Sequence, residues 1–283
     1  MNNQIRACSL LYGECAVRHD LNFLLAMNPL VKEELSQSVK IGPDPRRMAL
    51  SPILGDARHD LNFLTKINID HSGRLLHLIN KSPSDLRQDL FVLSELNFKE
   101  NGFFVEFGAT NGISLSNTWL LEREFNWTGI LAEPAHYWSP ALEYNRPNSK
   151  IDRRCVWKTS GEKLMFQESE LTELSSLSDF VDADYHAPVR RKGKSYEVET
   201  VSLLDLLVDH NAPSEIDYLS IDTEGSEYDI LENFDFSRFN FKVITCEHNF
   251  TDKRDKVYKL LTKHGYKRKF EKISKCEDWY VYD

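Results

Sequence analysis

The chain has 283 residues and 41% hydrophobic content, enough for one sizeable core with an added subdomain. Its formal charge of −9 lacks the basic footprint expected of a nucleic-acid binder. Its five cysteines, Cys8, Cys15, Cys155, Cys246 and Cys276, are odd in number and have no zinc-ligand spacing, which favours a reducing compartment. Glu14, Arg18, His19 and Asp20 interrupt the apolar residues of the N-terminus, and no membrane-spanning run follows. These features predict a soluble, cytoplasmic protein.

Residues 1–82 read as an N-terminal extension, mainly helical, with proline-rich joints at Asn28-Pro29, Gly42-Pro-Asp-Pro45 and Ser51-Pro52. Arg18-His-Asp-Leu-Asn-Phe-Leu24 recurs as Arg58-His-Asp-Leu-Asn-Phe-Leu64. Two copies fall short of a solenoid. The repeat is either a local duplication giving two short helices or a docking element, and it offers a route to homo-oligomers. Residues 83–283 read as a second domain. Ser84 to Phe98 carries a helical apolar stripe. Strands are expected at 103–107, 129–132, 151–157, 216–221, 241–246, 265–270 and 278–282. Helices are expected at 113–125, 138–145, 202–209, 226–233 and 251–264. Ser202 with Asp205 gives the 202–209 helix a capping-box-like start. Strands alternating with helices imply a mostly parallel α/β sheet. The polar stretch 158–200 breaks the rhythm and reads as an insertion beside the mouth of a site. Its basic run Arg190-Arg-Lys-Gly-Lys194 is either a solvated loop or a substrate contact.

The chemistry-bearing pattern begins at Phe103-Phe-Val-Glu-Phe-Gly-Ala-Thr-Asn-Gly112. A buried apolar strand breaks into a turn bounded by Gly108 and Gly112, where backbone can approach a ligand closely. The spacing is not that of the dinucleotide fingerprint, whose second glycine is missing. Glu106 lies inside the corner, where it would repel a pyrophosphate and suit a cationic cofactor such as S-adenosylmethionine. Glu133 ends the second strand just before Pro134, where an acid accepts hydrogen bonds from ribose hydroxyls. Glu106 and the missing second glycine disfavour a dehydrogenase. Ser116 and Asn117 fall in the first turn of the expected 113–125 helix, either reaching the cofactor or merely capping. His136, Tyr137 and Trp138 either stack near an adenosine or pack the next helix start.

The strand-end blocks Asp222-Thr-Glu-Gly-Ser-Glu227 and Thr245-Cys-Glu-His-Asn249 complete the pattern. Taken with Val105 to Gly112, Ser114 to Thr118, Leu131-Ala-Glu-Pro134 and Cys155-Val156, they make residues 84–283 resemble the FkbM-type S-adenosylmethionine-dependent methyltransferases. The resemblance implies a class I methyltransferase (Rossmann-like) fold, doubly wound, with a mostly parallel seven-stranded sheet. It implies O-methylation of a saccharide or another small hydroxylated metabolite. By motif, Glu106, Gly108, Ala109, Thr110, Asn111 and Gly112 would hold the methionine part of the cofactor. Glu133, with Pro134 beside it, would hold the ribose. Cys155 and Val156 would border the adenine. Some relatives are non-catalytic trafficking or scaffold proteins, which keeps an interaction role open.

Methylating an alcohol requires removal of its proton, by a base or with help from a metal. Asp222 and Glu224 end the fourth expected strand, and Glu247 and His248 end the fifth, so all four can converge in the crevice between them. Asp222, Glu247 and His248 form a candidate ligand set for a divalent metal such as Mg, with Glu224 as base. Without metal, His248 or Glu224 is the base. Structural ion pairing is a third possibility. Tyr185, His186 and Arg190 of the insertion are candidate acceptor contacts.

Overall fold

The structure, a computed structural model, describes residues 59–182 and 186–283. The first copy of the repeat, Arg58 of the second copy, and Tyr185 lie outside the described residues. Two compact units divide between His77 and Leu78. In the first, residues 59–64 are helical and helix α1 (Ile69–Leu78) comes next. Phe63 and Leu75 are buried, and the Ser72 hydroxyl donates to the Leu64 carbonyl at 3.3 Å.

The second unit opens with α2 (Gln88–Glu95), shorter than the 84–98 helix expected. Arg87, Asn97 and Phe98 are left-handed and stop it at both ends. The strands of the main sheet are β1 (Phe103–Phe107), β2 (Thr128–Ala132), β3 (Lys150–Asp152), β8 (Glu215–Ile221), β9 (Asn240–Glu247), β10 (Tyr266–Lys269) and β11 (Glu277–Tyr282). They form one seven-stranded sheet in the order β10-β11-β9-β8-β1-β2-β3. All neighbours are parallel except at β11, which runs antiparallel to β9 and β10. Its centre is built from continuous apolar runs. Phe104, Val105, Ile130, Leu131, Ile216 and Leu219 are fully buried, as strands covered on both faces require. The helices are α3 (Trp119–Phe125), α4 (Ser139–Asn145), α6 (Leu203–Asp209), α7 (Glu227–Glu232) and α8 (Lys253–Lys263), with a short α5 (Ala187–Arg190) in the insertion. The Ser202 hydroxyl caps α6 by accepting from the Asp205 amide at 3.1 Å.

Three expectations are corrected. The 151–157 segment is two strands in different sheets. Asp152 accepts from the Arg154 amide at 2.9 Å and its Nε at 3.0 Å, turning the chain out of the parallel sheet. The stretch 158–200, expected only as a polar insertion outside the strand pattern, contributes strands of its own. It builds β5 (Lys163–Ser169), β6 (Ser176–Leu177) and β7 (Gly193–Ser202), which join β4 (Cys155–Trp157) in a second sheet ordered β4-β7-β5-β6. Exposed Glu197 and Glu199 alternate with Tyr196, Val198 and Thr200, which point inward, a period-2 signal present in the sequence. The 113–125 helix begins only at Trp119, because side chains take up backbone amides of the residues before it.

At the far end of the sheet from the corner, Asp217 of β8 accepts from Lys99 Nζ at 2.7 Å, Lys242 Nζ at 2.9 Å and the Phe103 amide at 3.0 Å. Burial pushes this carboxyl up, but the hydrogen bonds outweigh it and hold the pKa below the usual value. A depressed pKa stabilises the fold above the unfolded-state value and loses that contribution as pH falls through the folded one. Asp217→Asn should therefore destabilise the protein by about 1.5–3 kcal/mol at neutral pH. Thermal unfolding of both proteins across pH checks this: the gap should close in acid, and equal melting at pH 7 would refute it.

Candidate functional site

Chain order reverses between β1 and β8: β1 continues to β2 on one side, and β8 continues to β9 on the other. A crevice opens at the carboxyl ends of such a pair. Gly108 comes directly after β1 with φ +73, and a Cβ there would lie 2.4 Å from the Asp222 carbonyl oxygen after β8. The corner therefore needs glycine so that two backbone segments can touch. Gly112 has φ +81, and a Cβ would press on Arg146 Cγ at 2.6 Å.

Glu106 is buried and organises the loop that leads into α3. It accepts from the Ser116 hydroxyl at 3.0 Å, the Asn117 amide at 2.7 Å and the Thr118 hydroxyl. Asn111 Oδ1 accepts from the Ile113 and Ser114 amides at 2.9 and 2.8 Å. These bonds satisfy backbone groups that a helix would need, so 113–118 is a loop. Arg146, 1% exposed, underpins it. Its guanidinium lies 3.9 Å from Glu106 and donates to Glu122, the Gly112 carbonyl and the Thr118 hydroxyl at 2.7, 3.0 and 3.0 Å. Burial raises the Glu106 pKa, with Arg146 acting against the shift.

Glu133 accepts from the Thr110 amide at 2.9 Å and the Ala135 amide at 2.8 Å, one bond to each oxygen. Each oxygen retains acceptor capacity toward the cleft it lines. Burial lifts its pKa to about 7, against those two amides. Pro134, Cys155 and Val156 line the same cleft. Ala109 is buried, and neither it nor Asn111, Gly112 or Ser116 reaches the lining. Asn117 does. His136 stacks on Tyr196 at 4.2 Å, while Tyr137 is exposed and meets Trp138 edge-on.

Asp222, Glu224 and Glu247 converge, offering one carboxylate oxygen each within 4.8 Å of one another. Asp222 and Glu247 hydrogen-bond side chain to side chain. Burial raises the Asp222 pKa, and burial plus the Asp222 charge holds Glu247 well above the usual carboxylate range. His248 does not join them. Its Nδ1 accepts from the Phe250 amide at 3.0 Å, and its Nε2 faces Asp278 at 3.9 Å and makes no hydrogen bond among the described residues. Burial lowers its pKa, keeping it neutral.

Arg190 also departs from expectation: it is fully buried and pairs with Glu224 rather than facing solvent or an acceptor. Its Nε donates to the Leu174 carbonyl at 2.9 Å, tying the turn 172–175 to the loop after β8. His186 sits half-buried at the start of α5. Thr172, Glu173 and Ser175 form the outer wall of the cleft. Their role and that of Arg146 escape sequence inspection, since nothing local marks them. Thr110, Leu115 and Glu224, all in the lining, have left-handed backbones with φ of 46, 61 and 60.

A scan of family profiles matches the Methyltransferase FkbM domain over residues 106–268. The chain belongs to the FkbM methyltransferase family. The match begins at Glu106 and runs past His248, so every candidate residue named for this FkbM methyltransferase lies inside it. The seven-stranded sheet with its switch between β1 and β8 is the class I methyltransferase architecture, and membership makes the chain an S-adenosylmethionine-dependent methyltransferase. Solved structures similar to it include the precorrin-6y C5,15-methyltransferase of Geobacter metallireducens GS-15, at 13% identity over 64% of this chain and 71% of that one, TM-score 0.35. The fibrillarin/Nop5p complex is similar at 13% identity over 64% and 72%, TM-score 0.31. No curated protein sequence matches the chain. No helix among the described residues is long and apolar enough to cross a membrane.

Proposed function

We propose that this methyltransferase acts on a hydroxyl oxygen, with a saccharide or similar polyol as acceptor. The observation that carries this is Asp222, a carboxylate on the cleft wall, oriented by Glu247 and placed where two strand ends meet. The residues present fit the cofactor. The lining is rich in carboxylates, as a cationic ligand prefers, and Glu133 has acceptor capacity to spare beyond its two amides. S-adenosylmethionine, when bound, supplies an electrophilic methyl group on a sulfonium sulfur. Glu133 would accept from the ribose hydroxyls. Cys155 and Val156, with Pro134 nearby, would border the adenine. The loop clamped by Glu106 would face the methionine part through Thr110 and Asn117.

In this reading Asp222 takes the acceptor proton. Glu224 is paired with Arg190, and a neighbouring cation weakens a carboxylate as a base. His248 faces Asp278 instead. The outer wall of Thr172, Glu173 and Ser175 offers hydrogen-bonding groups suited to a polyol. A second reading has its own observation: the clustered oxygens of Asp222, Glu224 and Glu247 are spaced to hold a divalent cation such as Mg. Chelation separates the two, since full activity after exhaustive chelation leaves Asp222 acting alone.

The test is to incubate the protein with methyl-labelled S-adenosylmethionine and a panel of mono- and oligosaccharides and polyols. Label should enter a product that survives alkali, as a methyl ether does and a methyl ester does not. Alkali-labile label would sink the hydroxyl assignment. Glu133→Ala should weaken cofactor binding about ten- to hundredfold, because charge-assisted hydrogen bonds are worth roughly 1.5–3 kcal/mol. Calorimetry checks this, and an unchanged dissociation constant in the folded variant removes Glu133 from the ribose site.

A further inference from the structure

The charged side chains lining the cleft are all acids: Glu106, Glu133, Glu173, Asp222 and Glu224. Among the described residues no lysine, arginine or histidine joins the lining. Two of the acids have their charge offset from behind, Glu106 by Arg146 and Glu224 by Arg190. Arg190 also acts on Asp222 from behind, while Glu133 accepts only backbone amides among the described residues and Glu173 sits on the exposed outer wall. Glu133 lies on the β2 side, Asp222 on the β8 side and Glu173 on the outer wall, so carboxyl groups face the space from three sides, with no cation among the described lining residues. The walls are otherwise partly apolar, with Phe107, Val156, Phe166 and Leu177, and low polarity strengthens any charge interaction inside.

S-adenosylmethionine carries a net positive charge from its sulfonium. Adenosylhomocysteine, left after the methyl departs, has lost that charge and is otherwise the same molecule. We infer that the cleft selects its cofactor by charge, holding the sulfonium form more tightly than the thioether product, with Asp222 and Glu173 as the discriminating carboxylates. This rests on the assignment of the cleft to S-adenosylmethionine. Methyl transfer then cancels the interaction that held the donor, and the product leaves because its charge is gone. The same field disfavours acceptors bearing phosphate or carboxylate near the reacting hydroxyl.

The experiment is equilibrium binding, without acceptor, of three probes: S-adenosylmethionine, adenosylhomocysteine, and sinefungin, which carries an amine where the methyl sulfonium would be. The two cationic probes should bind the wild-type protein about tenfold or more tightly than adenosylhomocysteine at low salt, the size expected from one close carboxylate. High salt should narrow the ratio. Glu173→Gln, on an exposed turn, should narrow it while the fold persists, and Asp222→Asn should narrow it further. Adenosylhomocysteine binding as tightly as the cationic probes overturns the inference and leaves the cofactor assignment standing. A wild-type ratio in both variants also overturns it. If none of the three probes binds, the cofactor assignment fails and the inference falls with it.

Discussion

Asp222→Asn is expected to reduce methyl transfer by about 10²–10⁴-fold, the usual contribution of a positioned base. The substitution keeps shape and hydrogen bonding but removes the proton acceptor. It also removes the partner charge that raises the pKa of Glu247. Cofactor affinity should change far less than turnover, since Glu133 and the 108–117 corner remain. Rate of label transfer at saturating cofactor, with melting temperature as control, decides the matter. His248→Gln should transfer at near wild-type rate, because that ring faces Asp278 at 3.9 Å rather than the cleft. Near-normal turnover in Asp222→Asn would return the role to Glu224. It would then require Arg190 to let go of its partner during the reaction.

Arg146→Met is expected to destabilise the protein by about 3–5 kcal/mol, because removing one partner strands the buried charge of Glu106. The loss does not stop at stability. Arg146 and Glu106 together hold Gly112, Ser116, Asn117 and Thr118, so the loop that carries one wall of the cleft loses its frame. Weakened cofactor binding should persist under conditions where the variant is still folded. Arg146→Lys keeps a charge but not the planar fork of donors, and should fall between. Urea unfolding and calorimetry read both effects. A variant as stable as wild type would show that Glu106 is held neutral without its cation.

The central sheet was legible because its strands are short continuous apolar runs ending in marked residues. Phe103 to Phe107 ends at Gly108, and Ile216 to Ile221 ends at Asp222. The place of Glu133 on the cleft wall was legible because it is the acid that closes the second strand. What failed depended on partners distant in sequence. Glu106 reaches ten to twelve residues ahead to keep 113–118 out of a helix. Arg190 crosses thirty-four residues to Glu224, so a basic run that reads as a solvated loop or a substrate contact supplies a core cation. The parting of Glu247 from His248 follows from strand geometry. Adjacent residues at the end of an extended strand point to opposite faces, so only one of the two can enter the crevice. The same period of two marks β7, where glutamates alternate with buried positions.

Thr110, Leu115 and Glu224 sit on the cleft in left-handed backbone conformations that favour glycine. Each such residue costs of order 1–3 kcal/mol. Two of them are tied to the surrounding framework, Thr110 through its amide bond to Glu133 and Glu224 through its pair with Arg190. Thermostability and competence are therefore opposed in this protein. Selection for heat resistance alone would relax these positions, with glycine at 115 the simplest route, and the gain in melting temperature would come at the expense of the side chains that shape the cleft.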